Sequence, residues 1–80
     1  MLLRILRTPI RHQEATTVFG DALAATIPDP DRSHGESRFI TIGHSSNQRL
    51  IVVSHTEEGE IFRIISAREA NPHERKTYES

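Results

Sequence analysis

Four side chains toward the C-terminal end of this 80-residue chain could act on a phosphodiester: Arg63, Arg68, Arg75 and Tyr78. Cleaving RNA without a metal needs cations to neutralise the phosphate, an acceptor for the 2′-hydroxyl proton and a donor for the leaving oxygen. Arginine forks clamp phosphate oxygens bidentately, and a tyrosine can stack on a base or hold a proton. Each residue also has a plainer use. Arg68 and Arg75 could pair with Glu69, Glu74 or Glu79, Arg63 could form a structural ion pair, and Tyr78 could pack a short helix onto a sheet.

Other chemistries are poorly served. The five histidines, His12, His34, His44, His55 and His73, make no HxxxH, HExxH or close pair, and no cysteine assists them, so no metal site is expected. Asp29, Asp31 and Glu36 lack the spacing of a calcium loop and suit turn capping. Gly43-His44-Ser45-Ser46 lacks the second glycine of a nucleophile elbow. Without cysteine there is neither a disulfide framework nor thiol chemistry.

The elements that must position the basic group are legible from periodicity and turn residues. Residues 11–20 predict a helix, with Ala15, Val18 and Phe19 on one face and Gly20 as its stop. Ala22–Ile27 predicts a short strand ended by Pro28, and 28–36 a loop. Arg38 to Ser66 predicts three strands joined at Ser45–Gln48 and Thr56–Gly59. Hairpins centred on those loops set Ile40 opposite Val53 and then Phe62, and Ile42 opposite Ile51 and then Ile64, making one apolar face. The same register sets Arg38 near Glu60 and puts Arg63 in the middle of the other face, on a strand that desolvates it. Asn71-Pro72-His73-Glu74 has the order of a helix start, and the short helix that follows sets Arg75 and Tyr78 on one side.

Composition bounds the rest. Eighty residues with 35% hydrophobic side chains predict a single domain over 1–80 with a small core, for which a partner or self-association is expected. The net charge of -1 does not advertise a nucleic-acid binder, but the charge is patterned. Arg4, Arg7 and Arg11 lie at the front, acids gather over 29–36, and basic residues return at Arg63, Arg68, Arg75 and Lys76. No segment has the length of a membrane span or the parts of a secretory signal, and a cytoplasmic location is expected.

Several segments together carry a family resemblance: A-T-T-V-F-G-D over 15–21, P-D-P-D over 28–31, G-E-S-R-F-I-T-I-G over 35–43, R-I-I-S-A-R-E-A over 63–70, then Glu74-Arg75 and Tyr78. The chain resembles the BrnT family of bacterial toxins from residue 13 to residue 79. The resemblance implies an α+β, RelE-like fold: an antiparallel sheet of about four strands with an N-terminal helix and a short C-terminal helix. It also implies a cofactor-free RNA-cleaving toxin of a type II toxin–antitoxin pair. The implied partner is a BrnA-type antitoxin, through which DNA is met only indirectly, in a homodimer or hetero-oligomer. Carried onto this sequence, it marks Arg63, Arg68, Arg75 and Tyr78 as active-site candidates and matches Arg38; Arg63, Arg68 and Tyr78 are expected to be catalytic, and Arg75, Arg38 and the basic neighbour Lys76 to bind RNA. Gly43 also matches the family's pattern.

Residues 1–12 diverge. Family members carry a Trp-Asp pair and a Lys-His-Gly before the segment that matches 13–21, whereas this chain has no tryptophan. His12 is nearest in type to the family histidine without aligning with it, and is the acid–base candidate here. Two readings follow: an endoribonuclease working from the C-terminal cluster, or a catalytically weak toxin-like module that binds the antitoxin and assists operon repression.

Overall fold

A computed structural model describes residues 10–30 and 37–79. Arg4, Arg7, Asp31, His34 and Glu36 lie outside them. The order of elements is α1 (His12–Thr17), a 3-10 turn (Val18–Gly20), β1 (Ala25–Pro28), β2 (Arg38–His44), β3 (Leu50–Glu58), β4 (Ile61–Glu69) and α2 (Pro72–Glu79). The strands form one antiparallel sheet in the order β1-β2-β3-β4. The α+β architecture expected from the sequence is therefore present.

The N-terminal helix falls where periodicity puts it, its last turn tightened to 3-10. β1 starts later than expected, because Asp21 folds the chain over itself: its Oδ1 accepts from Leu23 N at 2.9 Å and its carbonyl from Ala24 N at 3.0 Å. Pro28 closes β1 within the strand, tolerable because β1 is an edge.

The hairpin register differs from the centred one, and turn geometry explains why. Ser45 N donates to Arg49 O at 2.8 Å and Gln48 N to Ser45 O at 2.9 Å, leaving a three-residue loop in which Gln48 takes a positive φ of 65°. An odd loop length moves the pairing by one residue, so Thr41 meets Val53 and Ile40 meets Ser54. The second turn lies at Gly59-Glu60, with Gly59 at φ 59°, and β3 continues through Thr56–Glu58, residues expected to be loop. Arg38 therefore lies in a row with Thr56 and Arg63, far from Glu60. Arg63 is exposed on an edge strand rather than desolvated on a central one.

These pairings divide the sheet into two unlike faces. One is covered by α1: Ala15 and Val18 pack with Ile51 and Val53, all wholly buried, and Ile10, Ile64 and Ala67 close the edges. His55 is buried on the same side, its ring stacked on Phe39 and Phe62 and met edge-on by Phe19. Its Nε2 lies 2.7 Å from Thr41 Oγ1, which lies 2.6 Å from Thr26 Oγ1. Glu14, buried at the rim, accepts from Ser45 Oγ at 2.6 Å and from both Nε and Nη2 of Arg49, and these bonds hold its carboxyl at about 2.

The opposite face carries Ile40, Ile42 and Val52, and α2 lies over it. Between them is an apolar groove of about 410 Å³. The face expected to gather Ile40, Ile42, Ile51, Val53, Phe62 and Ile64 is thus split, the first two on one side and the last four on the other.

Candidate functional site

Arg63 and Arg68 are five positions apart, a spacing that in a regular strand would send them to opposite faces. They share a face because the register shifts between Ser54 and His55: Ser66 pairs with Ser54, Ile64 pairs with His55, and Ile65 bulges out between them. Arg68 consequently stands opposite Val52, and Arg63 opposite Thr56, on the side under α2. Arg38 joins them across Thr56. Along β3 the two rows are about 13 Å apart at ~3.3 Å per residue. Arg38 Nε is buried without a hydrogen-bond partner, so its cation is only partly satisfied within the described residues.

The helix above this face is built by local grammar. Asn71 Oδ1 accepts from Glu74 N at 2.8 Å while Glu74 Oε1 accepts from Asn71 N at 2.9 Å, a reciprocal capping box with Pro72 in the first turn. The same Glu74 receives both Nη atoms of Arg68 at 2.8 Å each. The Arg68 pair is the largest influence holding the Glu74 carboxyl down at about 2. One turn later Tyr78 donates its hydroxyl to Asp21 Oδ2 at 2.9 Å. Burial, followed by the Asp21 carboxylate, raises the pKa of the phenol, so Tyr78 keeps its proton. The plainer readings of these two side chains thus describe real contacts: Arg68 pairs with Glu74, and Tyr78 fastens the helix to the body.

Asp21 is the hub of that corner. Its Oδ2 also accepts from the backbone N of His44 at 2.7 Å and lies 3.7 Å from His44 Nδ1. The His44 ring meets Tyr78 edge-on, with centroids 5.5 Å apart. Gly43 permits the approach: a Cβ there would lie 2.9 Å from Ala24 Cβ and 3.2 Å from Asp21 Oδ2. The match of Gly43 to the family's pattern thus has a local steric reason.

The remaining residues singled out from the sequence are placed less centrally. Arg75 is exposed and lies 3.5 Å from Glu79, one turn on, and Lys76 is exposed beside it. His12 opens α1, on the other side of the sheet from Arg63, Arg68 and Tyr78, and the structure does not bring it to them. Sequence reasoning passed over Asp21 and His44. Their signals were the aspartate that ends T-T-V-F-G-D and the histidine that follows the close-packed Gly43. Among the described residues no cluster of His, Cys, Asp or Glu could hold a metal ion, and no helix is long and apolar enough to cross a membrane.

The arrangement can bind an anion with arginines, stack a base against Tyr78, and move a proton at an imidazole or a hydroxyl. Comparison with known proteins agrees with that chemistry. Residues 7–74 match the family described as the ribonuclease toxin, BrnT, of type II toxin–antitoxin systems. The match ends before Arg75 and Tyr78, and a search of curated proteins gives no match. Spanning most of the molecule, including both β4 arginines and the whole sheet, the matched region settles the family: this chain belongs to the BrnT ribonuclease toxins of type II toxin–antitoxin systems.

Proposed function

We propose that this toxin is a metal-independent endoribonuclease, RelE-like in fold and acting in the bacterial cytoplasm, that cuts RNA and so stops translation. A BrnA-type antitoxin neutralises it by covering the basic face. The observation that carries this reading is the bulge at Ile65, which puts Arg63 on the same sheet face as Arg68 and, across Thr56, Arg38. Arg63 and Arg68 take the scissile phosphate, Arg38, Arg75 and Lys76 add positive potential along the RNA, and Tyr78 contacts a base. Tyr78 is a poor proton acceptor while it keeps its own proton, and His12 lies too far around the fold to serve this face.

A second reading, a toxin-like module that binds antitoxin without cutting RNA, draws on two facts. Arg68 and Tyr78 are already engaged, by Glu74 and Asp21. Edge strand β4 also exposes Ile61, Phe62 and Ile65, apolar area suited to a protein partner. RNA cleavage by the purified chain in excess chelator separates the two. The expected outcome is fragments ending in 2′,3′-cyclic phosphate, at a rate reduced at least ~10-fold in folded Arg63→Ala. A folded wild type that leaves RNA intact overturns the enzyme reading in favour of the module.

A further inference from the structure

We propose that His44 is the proton-transfer residue of this site. The inference rests on the ribonuclease reading, which supplies arginines for the phosphate but leaves the proton acceptor unassigned. Across the sheet, His44 pairs with Leu50 and Arg68 with Val52, so the two rows are about 7 Å apart along β3 at ~3.3 Å per residue. His44 alternates with Ile42 and Ile40 onto the face under α2. One face of α2 joins them, since Glu74 holds Arg68 and Tyr78, one turn on, meets the His44 ring. His44 on β2 and Arg68 on β4 are also two strand spacings of ~4.8 Å apart, about 12 Å in all, and that one turn of α2 links them by carrying both Glu74, the partner of Arg68, and Tyr78, the neighbour of the His44 ring.

The ring is oriented and open. Asp21 fixes the His44 backbone and faces Nδ1 at 3.7 Å, which leaves Nε2 directed away from the carboxylate, and the side chain is 36% exposed. The charged and titratable groups facing it are Asp21, from the turn before β1, and Tyr78, from α2. The other described imidazoles are placed differently. His55 is wholly buried among phenylalanines on the far face, His12 opens α1 on that same side, and His73 rides the exposed first turn of α2, away from the Asp21 corner.

In the step assigned to His44, neutral Nε2 takes the proton of the RNA 2′-hydroxyl as the 2′-oxygen bonds to phosphorus and the bond from phosphorus to the 5′-oxygen breaks. The 5′-oxygen takes a proton from water, and His44 returns its proton to water. No net proton is consumed, and the products are a 2′,3′-cyclic phosphate and a 5′-hydroxyl. Asp21 is a positioning residue that sets the ring.

The test is single-turnover cleavage of a short RNA by the full chain in chelator, from about pH 5 to about pH 9, where imidazoles titrate. Wild type is compared with His44→Gln, His44→Ala and His12→Gln, with folding checked by circular dichroism. Expected are a ~100-fold slower His44→Gln lacking the acidic limb of the profile, and partial rescue of His44→Ala by added imidazole. A folded His44→Gln within about threefold of wild type with the same profile overturns the inference and leaves the ribonuclease reading standing. The limb disappearing in His12→Gln instead does the same. A wild type that cuts no RNA removes the ribonuclease reading, and this inference with it.

Discussion

The two faces of the sheet are built from similar aliphatic residues and serve opposite ends. Under α1, Ile51 and Val53 are wholly buried and the polar groups at the rim are saturated, Glu14 receiving Ser45 and Arg49 together. Under α2, Ile40 and Ile42 are only partly covered, Ile27 is 55% exposed, and the helix is fastened by polar bonds at Arg68–Glu74 and Tyr78–Asp21. The closed face holds the contiguous buried cluster, while the open face adds Leu50 and Val52 to the core. The open face keeps a groove and, among the described residues, a buried Arg38 Nε without a hydrogen-bond partner, as an active site that keeps groups for its substrate would.

The most forceful way to break the contrast is to truncate equivalent aliphatic residues on both faces. Ile51→Ala should cost about 3 kcal/mol and Ile42→Ala about 1 kcal/mol, because only the first leaves a cavity among fully packed neighbours. Urea unfolding gives both numbers. Equal losses would mean that the open face contributes to the core as much as the closed one.

Acid should attack the closed face through two groups. Glu14 is held at about 2 folded against an ordinary value of 4.5, so its contribution is present above 4.5 and lost as pH falls toward 2. His55 has its pKa lowered, chiefly by burial and against the opposing pull of Glu57, whose Oε2 lies 3.3 Å from Nδ1. The unfolded imidazole therefore gains a proton first, and stability declines as pH drops below the ordinary value of 6.5. Thermal melts from neutral to acid pH should show this decline in two stages, and His55→Phe should remove the earlier one. A melting temperature flat from pH 7 to about pH 5 would contradict the buried, neutral imidazole.

How much of this was legible in the sequence depended on how local the determinant is. The C-terminal helix was readable in full, because Asn71 and Glu74 carry their own reciprocal capping bonds within four residues and Pro72 fits the first turn. The strands were readable too, but not their pairing. A Ser-Ser-Asn-Gln loop offers no glycine to announce its positive-φ position, and Gln48 takes it, changing the loop length from even to odd. Arg63 and Arg68 share a sheet face for a reason that strict alternation would have denied, since only the bulge at Ile65 turns both to the same side. The Asp21–His44–Tyr78 corner stayed hidden because its members are 23 and 57 positions from Asp21 and meet only after the sheet has formed.

On the open face the contrast can be sharpened by releasing Arg68. Glu74→Gln removes the countercharge while an amide oxygen can still accept from Asn71 N, so α2 should persist by circular dichroism. Freed of its partner, Arg68 can take up one further phosphate, and the slope of log binding constant against log salt for single-stranded RNA should steepen by about 0.7. An unchanged slope would mean that Arg68 is a fastening for the helix and contributes nothing to RNA.

The smallest expected change comes from Tyr78→Phe, which deletes one oxygen and leaves the ring against His44. Asp21 Oδ2 would keep the His44 backbone N–H, so no buried acceptor is stranded, and the stability lost should be about 0.5–1 kcal/mol. If the ring serves as a stacking surface, the cleavage rate should stay within about threefold of wild type, whereas Tyr78→Ala should lose at least ~10-fold. A Tyr78→Phe protein that folds normally yet loses as much cleavage as Tyr78→Ala would assign the work to the hydroxyl. The fastening to Asp21 would then be a resting contact that RNA must break, and the open face would store its reactive group as well as its room.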